Sequence, residues 1–120
     1  MNSVKVLECT LRDGGYVNNW DFGKENIINI TKNLEKSNAD IIEMGFIRDE
    51  KYSENRAVYN SNKQLDEIIG TKKKNTIYAA LVEMANYYPI EKFEDRGKGG
   101  IDAIRYSFWK RKIDEAYEYA

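Results

Sequence analysis

The sequence predicts an α/β fold with parallel strands, and more narrowly the first four β/α units of a TIM (β/α)8 barrel, a half-barrel. Short apolar runs rich in β-branched residues alternate with segments of helical spacing, a pattern typical of right-handed crossovers and a parallel sheet. The runs begin roughly 27 to 37 residues apart, close to the about 31 residues that a barrel of about 250 residues gives each unit. An open doubly wound sheet shows the same alternation, so the spacing leaves both architectures open.

Four strands are predicted, at residues 4–11, 40–46, 76–82 and 103–108. Between the first two, residues 24–37 place Ile27, Ile30 and Leu34 at helical spacing. Asp21 lies just ahead of this helix and is its predicted N-cap, because a carboxylate there can accept a bond from a free helical amide.

The second connection also predicts a helix. Ser61 and Gln64 fit a capping box, in which the side chain of each residue bonds the free amide of the other. Leu65, Ile68 and Ile69 follow at helical spacing and form its predicted buried face.

The last two connections are less regular. Pro89 suits the first position of a short helix, and residues 94–100 are predicted to be a connecting turn, because they lack the spacing of a phosphate loop and precede a strand. The final segment has an apolar stripe at helical spacing, made of Ile113, Ala116, Tyr117 and Ala120. The stripe is still running at the last residue, so we expect residues 1–120 to be the N-terminal part of one longer barrel domain.

The composition disfavours several classes of function. The 120 residues are 42% hydrophobic and 32% charged, enough for one domain or part of one. With 19 basic and 20 acidic residues there is no positive surplus to bind nucleic acid. No long apolar run is present, so we expect a cytoplasmic protein that does not bind membranes. Histidine is absent, which removes the commonest general base, and the single Cys9 is expected to be a small buried residue.

The most informative segment is Thr10-Leu11-Arg12-Asp13-Gly14-Gly15, at the end of the first predicted strand. Successive strand residues point to opposite faces, so Arg12 and Asp13 can serve one site only if the strand breaks there. Gly14 and Gly15 would ease that break, and catalytic groups of parallel barrels lie at the carboxyl ends of strands. The alternative is a strand-to-loop turn with a local ion pair.

The run from Thr10 to Gly14 resembles the strand-one signature of the HMG-CoA-lyase-like (DRE-TIM metallolyase) family. This family includes isopropylmalate and homocitrate synthases, 4-hydroxy-2-oxovalerate aldolases and the carboxyltransferase domain of pyruvate carboxylase. Their first strand usually reads Asp-Thr-Thr-Leu-Arg-Asp-Gly, and here Glu8-Cys9 replaces the first two residues. The family's second strand ends in a Glu and a Gly, which match Glu43 and Gly45.

The resemblance implies a site for Mg²⁺ or Mn²⁺ that holds the oxygens of a 2-oxo acid substrate or its enolate. By this resemblance Asp13 is a metal ligand, Arg12 is the catalytic and substrate-binding cation at the enolate oxygen, and Glu43 lies near the metal or holds Arg12. Arg105 of the fourth strand is a further candidate, since arginine binds carboxylates bidentately. The alternative for Arg105 is an ion pair with a neighbouring carboxylate.

The chain departs from the family pattern as well. The family completes its metal site with a His-x-His pair, and its aldolases have a catalytic histidine soon after the Arg-Asp-Gly, whereas this chain has no histidine. Tyr16 is the candidate to donate a proton or to bind substrate in that position, and the alternative is packing at the barrel rim with Trp20 and Phe22.

The expected function is a fragment of a metal-dependent carbon–carbon lyase or aldolase that acts on 2-oxo acids, especially 4-hydroxy-2-oxo acids, and is inactive alone. An acyl-CoA-condensing synthase of the same family and a small non-catalytic α/β interaction domain are the alternatives. A half-barrel leaves strand edges and a concave face uncovered, so we also expect a homo-oligomer.

Overall fold

The computed structural model describes residues 3–94 and 99–120 as one parallel sheet with helices packed against it. The strands are β1 (Leu7–Glu8), β2 (Ile41–Ile47), β3 (Val58–Tyr59), β4 (Ile77–Glu83) and β5 (Ala103–Ser107). The α-helices are α1 (Thr10–Asp13), α2 (Lys24–Lys36), α3 (Asn62–Ile69) and α4 (Ile113–Tyr119). Short 3-10 turns cover Gly14–Val17, Ile90–Lys92 and Lys110–Lys112.

The strand order decides between the two architectures that the sequence left open. The sheet runs β1-β2-β4-β5, with every pair parallel, and β3 pairs with β2 outside this path. A doubly wound sheet reverses its strand order at a switch point, whereas a barrel adds each unit beside the previous one. The described residues show no reversal, which confirms the α/β fold with parallel strands of a partial TIM barrel. The sheet is not closed.

The first strand is shorter than predicted. Only Leu7–Glu8 pairs with β2, and Thr10–Asp13 is helical rather than the end of a strand. The cause is local hydrogen bonding, because the Glu8 carboxylate accepts bonds from the Thr10 amide at 2.9 Å and the Thr10 hydroxyl at 2.7 Å. The Cys9 carbonyl then accepts the Asp13 amide at 2.7 Å, which closes a helical turn.

This early turn leaves room for β3, which the sequence did not predict. β4 occupies one edge of β2, and β1 covers the start of the opposite edge at Ile41 and Ile42. Because the chain leaves β1 after Glu8, the rest of that edge is open, and β3 pairs there with Phe46 and Ile47. The backbone groups at the carboxyl end of β2 are thereby paired.

The two faces of the sheet have different neighbours. The face that carries Met44 and Tyr78 lies against α2, where the Thr31 hydroxyl lies 3.9 Å from the Met44 sulfur and Tyr78 donates to Glu35 at 2.8 Å. Most of the buried apolar side chains belong to this layer and to α3, including the predicted face of Leu65, Ile68 and Ile69. The opposite, inner face carries charged side chains.

The helix ends differ from the predictions in their caps. Asp21 does not cap α2, since the N-cap is Gly23 and the Lys24 amide is bonded by the Asn55 side chain at 3.3 Å. The capping box of α3 is also wrong, because Gln64 exchanges two hydrogen bonds with Asn60, at 2.9 and 2.6 Å, instead of with Ser61.

The last two helical predictions hold in part. The short helix at Pro89 is a three-residue 3-10 turn, and α4 buries Ala116 but leaves Ile113 and Tyr117 exposed. Tyr119, outside the predicted stripe, stacks on Tyr106 instead. Residues 95–98 of the predicted connecting turn lie outside the described residues. No described helix is both long enough and apolar enough to cross a membrane.

The two glycines of the motif act differently from the prediction. Gly14 has ordinary helical angles, with φ −66° and ψ −16°, so the turn does not depend on glycine's conformational freedom. Gly15 is buried, and a Cβ there would lie 1.9 Å from Cδ1 of the Trp20 indole. Gly15 is therefore required for close packing of Trp20 rather than for breaking a strand.

Replacing Gly15 by alanine is expected to destabilise the fold by about 1–3 kcal/mol, because the methyl group overlaps the buried Trp20 ring. Gly14→Ala is the matched control, since its Cβ would lie 3.7 Å from the Thr10 methyl carbon, an ordinary contact. The comparison is made by urea unfolding. Equal midpoints for the two variants would contradict the packing role of Gly15.

Candidate functional site

The α1 turn presents Arg12 and Asp13 in two different environments at the carboxyl end of β1. The Arg12 side chain is 15% exposed, whereas the Asp13 side chain is 64% exposed. The two are joined by a bond from Arg12 Nη1 to Asp13 Oδ1 at 3.1 Å. Consecutive residues of a helical turn diverge in direction, so Arg12 is directed into the sheet and Asp13 toward solvent.

Glu43 is the centre of the inner face. Its side chain has no solvent exposure and accepts one arginine on each oxygen. Oε1 accepts Arg12 Nε at 2.6 Å, and Oε2 accepts Arg105 Nη1 at 2.5 Å. A carboxylate removed from water is tolerated when charged partners satisfy it, and here two cations from different elements do so.

Arg105 reaches Glu43 across an intervening strand. Residue Glu43 pairs in register with Ala79 of β4, and Arg105 of β5 pairs with Leu81, one step further along the same face. Ala79 has a small side chain, which leaves space for the Arg105 side chain to cross β4. Of the two alternatives for Arg105, the structure contains the ion pair, and the side chain remains 44% exposed.

The surroundings keep Arg12 charged and Cys9 neutral. Burial lowers the pKa of Arg12, but the hydrogen bond to Glu43 and the charges of Glu43 and Asp13 raise it, and the result is a pKa above the usual value. Burial raises the pKa of the Cys9 thiol, with a partly offsetting effect of Arg12. The thiol is therefore in its less nucleophilic, protonated form at neutral pH.

Trp20 connects the motif to the end of β2. Its indole Nε1 donates to the Arg12 carbonyl at 2.6 Å, which fixes the position of α1. Tyr16 is exposed and packs edge-on against Trp20, with ring centroids 4.9 Å apart, and also against Phe46 at 6.5 Å. Tyr16 thus lies at the rim, and Phe46 contacts it there rather than the expected Phe22.

Gly45 allows Phe46 to share the face of Glu43. The pairing between β2 and β4 shifts by one residue between Glu43 and Phe46, which is a β-bulge. Gly45 has φ +140°, and a Cβ there would lie 2.1 Å from the Ala57 carbonyl oxygen. Only glycine fits this close approach.

The sequence analysis missed a second ion pair on the inner face. Arg48 Nη2 donates to Glu83 Oε2 at 2.8 Å, and Asn86 donates to the same oxygen at 2.9 Å. Arg48 directly follows β2, and Glu83 is the last residue of β4. The sequence indicates this pair only through the position of the two residues, because both lie at the ends of parallel strands, where the active sites of barrels form.

The described residues do not form a metal site by themselves. They contain no group of three or more His, Cys, Asp or Glu side chains placed to hold an ion. Asp13 is exposed and has one oxygen engaged by Arg12, so it could supply a single ligand. Ions such as Mg²⁺ and Mn²⁺ need more oxygen ligands than this.

Comparisons with known proteins give one informative match. No family model matches the chain, and no curated protein matches it. The chain is similar to the crystal structure of the N-terminal domain of a "putative aldolase" from Bacteroides vulgatus, with 25% identity and a TM-score of 0.65. The alignment covers 97% of this chain and 39% of that chain, so this chain spans about two fifths of its length. The fold is accordingly aldolase-like.

Replacing Glu43 by glutamine is expected to lower the free energy of unfolding by about 3 kcal/mol, because Arg12 loses its buried charged partner and keeps only the exposed Asp13. Asp13→Asn is the control, since the exposed Asp13 pair contributes about 0–1 kcal/mol. Both variants are measured by urea unfolding at neutral pH. A Glu43→Gln variant as stable as Asp13→Asn would show that the buried carboxylate does not hold the site together.

Proposed function

We propose that this chain carries the first part of the active site of a carbon–carbon lyase or aldolase of the HMG-CoA-lyase-like family, which acts on 2-oxo acids. The observation that carries the proposal is Arg12, a guanidinium with 15% exposure that Glu43 holds at the carboxyl end of a barrel strand. The aldolase-like fold of the N-terminal domain that this chain resembles supports the same class. The proposal concerns a larger protein, because the structural relative is longer than this chain.

The chemistry needs a fixed cation where Arg12 lies. When the bond between C3 and C4 of a 4-hydroxy-2-oxo acid breaks, the 4-hydroxyl gives its proton to a base, which the proposal places outside the described residues, and C4 leaves as an aldehyde. The bonding electron pair passes through C3 to the 2-oxo oxygen, which becomes an enolate oxygen. Arg12 is proposed to stabilise that developing charge, and protonation at C3 then gives the 2-oxo acid. The reverse sequence forms the bond.

The other residues have supporting roles in this proposal. Glu43 is a positioning residue, since it bonds Arg12 Nε and fixes the guanidinium plane. Arg105 balances the second oxygen of Glu43 and has exposed surface that could meet a substrate carboxylate. Tyr16 is proposed to contact substrate from the rim, where it is exposed.

A divalent cation, Mg²⁺ or Mn²⁺, would supply further positive charge to the substrate oxygens. Asp13 is the candidate ligand of this chain because its carboxylate is exposed beside Arg12. The described residues do not complete such a site, so the proposal places the remaining ligands outside them. The role of Arg12 stands on its own position and does not depend on this ion.

The first test is catalysis by the full-length protein. We expect Mg²⁺- or Mn²⁺-dependent formation of a 2-oxo acid from 4-hydroxy-2-oxo acids, and we expect Arg12→Lys to lower kcat/KM by roughly 10²–10³, because lysine keeps the charge but loses the planar donor. Arg111→Lys, on the 3-10 turn before α4, is the control. Condensation of acetyl-CoA with 2-oxo acids is assayed in parallel, and absence of both reactions from the wild-type protein would refute the proposal.

The second test concerns Asp13 as a metal ligand. Mn²⁺ is expected to bind this 120-residue chain weakly, with a dissociation constant of about 1 mM or more, because a single carboxylate supplies the charge. The measurement is paramagnetic broadening of backbone amide signals, which should centre on Asp13 and vanish in Asp13→Asn. Asp114→Asn, in α4, is the control and should leave the broadening unchanged. Broadening that persists in Asp13→Asn would place the ion elsewhere.

A further inference from the structure

We infer that Arg48 is a second anion-binding residue of this site, and that it takes a carboxylate of the ligand whose carbonyl oxygen lies at Arg12. This inference rests on the proposed function, because it assigns the second contact of the same substrate. It concerns residues that lie two same-face positions nearer to the carboxyl ends of the strands than Glu43.

The position of Arg48 places it on the same side of the sheet as Arg12. Phe46 shares the inner face with Glu43 after the bulge at Gly45, and the Arg48 guanidinium lies over the Phe46 ring, 4.0 Å from its centroid. Glu83, the partner of Arg48, pairs in register with Ser107, two residues beyond the pair of Leu81 and Arg105. Two residues advance a strand by about 6.6 Å, so the Arg48 pair lies above the Glu43 cluster at the open end.

Trp20 joins the two arginines. Its indole N–H donates to the Arg12 carbonyl at 2.6 Å, and its ring lies 5.0 Å from the Arg48 guanidinium carbon. Arg12 and Arg48 are therefore both attached to one buried indole, whose ring also packs edge-on against Phe46 at 5.1 Å. The indole thus fixes the backbone of Arg12 and the side chain of Arg48 relative to each other.

The hydrogen bonding of Arg48 is incomplete. Among the described residues, Nη2 has an acceptor in Glu83, whereas Nε is buried without any hydrogen-bond partner. Nη1 has no acceptor among them either. Buried charged donors are ordinarily satisfied, and an unpartnered one is a candidate contact for a group supplied from outside the fold. A purely structural ion pair gives no reason to leave these donors unused.

The chemistry of the ligand follows from the donor geometry. Guanidinium presents planar, parallel N–H bonds that match the two oxygens of a carboxylate. Glu83 holds one corner of the plane, and its own charge is partly met by Asn86. The aromatic rings of Phe46 and Trp20 keep water away from the guanidinium, which strengthens a charged hydrogen bond formed there. Because Arg48 Nε has no hydrogen-bond partner among the described residues, the side chain can shift slightly toward a ligand without breaking a bond at that atom.

The test uses this 120-residue chain and three probes: pyruvate, with one carboxylate, 2-oxoglutarate, with two, and methyl pyruvate, in which the carboxylate is an ester. The readouts are the Arg48 Nε–H and Trp20 indole N–H signals in ¹H–¹⁵N spectra. We expect pyruvate to shift both signals and methyl pyruvate to leave Arg48 unmoved. Arg48→Lys should raise the dissociation constant of pyruvate about tenfold or more, and the exposed control Arg111→Lys should not.

The three probes show which carboxylate of the ligand binds at Arg48. The experiment also distinguishes a failure of this inference from a failure of the proposed function. A response to 2-oxoglutarate but not to pyruvate supports the inference and assigns the bound carboxylate to the end distant from the carbonyl. The Arg48 response should persist in Arg12→Lys, so carboxylate binding without carbon–carbon chemistry in the full-length protein would remove the proposed function alone. An Arg48 Nε–H signal that none of the probes shifts in the wild-type chain overturns the inference, whether or not Arg48→Lys folds.

Discussion

The buried carboxylate of Glu43 is the interaction on which the rest of this structure depends. It has no exposure, and a lone charge there would be prohibitively costly. Its two partners come from opposite ends of the described chain, Arg12 from the α1 turn and Arg105 from β5. The ion pairs of this one carboxylate therefore fix α1, β2 and β5 relative to one another. The small side chain of Ala79 in β4 leaves the space through which Arg105 reaches Glu43.

The regular parts of the fold were predictable because their signal is periodic. Strands β2, β4 and β5 and helix α2 lie within about one residue of their predicted bounds, and α3 has its predicted buried face, since apolar spacing marks a buried face over several turns or pleats. The first strand was not predictable in this way. Its end is set by hydrogen bonds of the Glu8 carboxylate to Thr10, which no hydrophobic pattern reports. The two-residue β3 is too short to have a pattern.

The sequence predicts those residues of the candidate site that lie in a recognisable motif or at the predicted end of a strand. Arg12 was predicted because a charged pair followed by two glycines lies at the carboxyl end of the first predicted strand, where barrel sites form. Glu43 was predicted only from the resemblance to the second strand of the HMG-CoA-lyase-like family. Arg48 was missed because it begins the charged run Arg48-Asp49-Glu50-Lys51, which looks like a solvated loop. Only the bulge at Gly45 and the pairing with Glu83 show that this cation belongs to the inner face. A register shift of one residue cannot be inferred from composition.

The charges on the inner face bear on the reaction proposed for this site. Three cations, Arg12, Arg48 and Arg105, lie beside three carboxylates, Asp13, Glu43 and Glu83, so the described cluster is electrically balanced. In the proposed reaction, a bound 2-oxo acid adds the charge of its carboxylate, and bond cleavage then places a further negative charge on the 2-oxo oxygen. The ion pairs hold their guanidinium groups in place before that charge arrives, and preorganised donors need not reorient when it develops. Of the three carboxylates, Asp13 is the most exposed, and the proposal therefore places there the additional cation that would offset the substrate's charge.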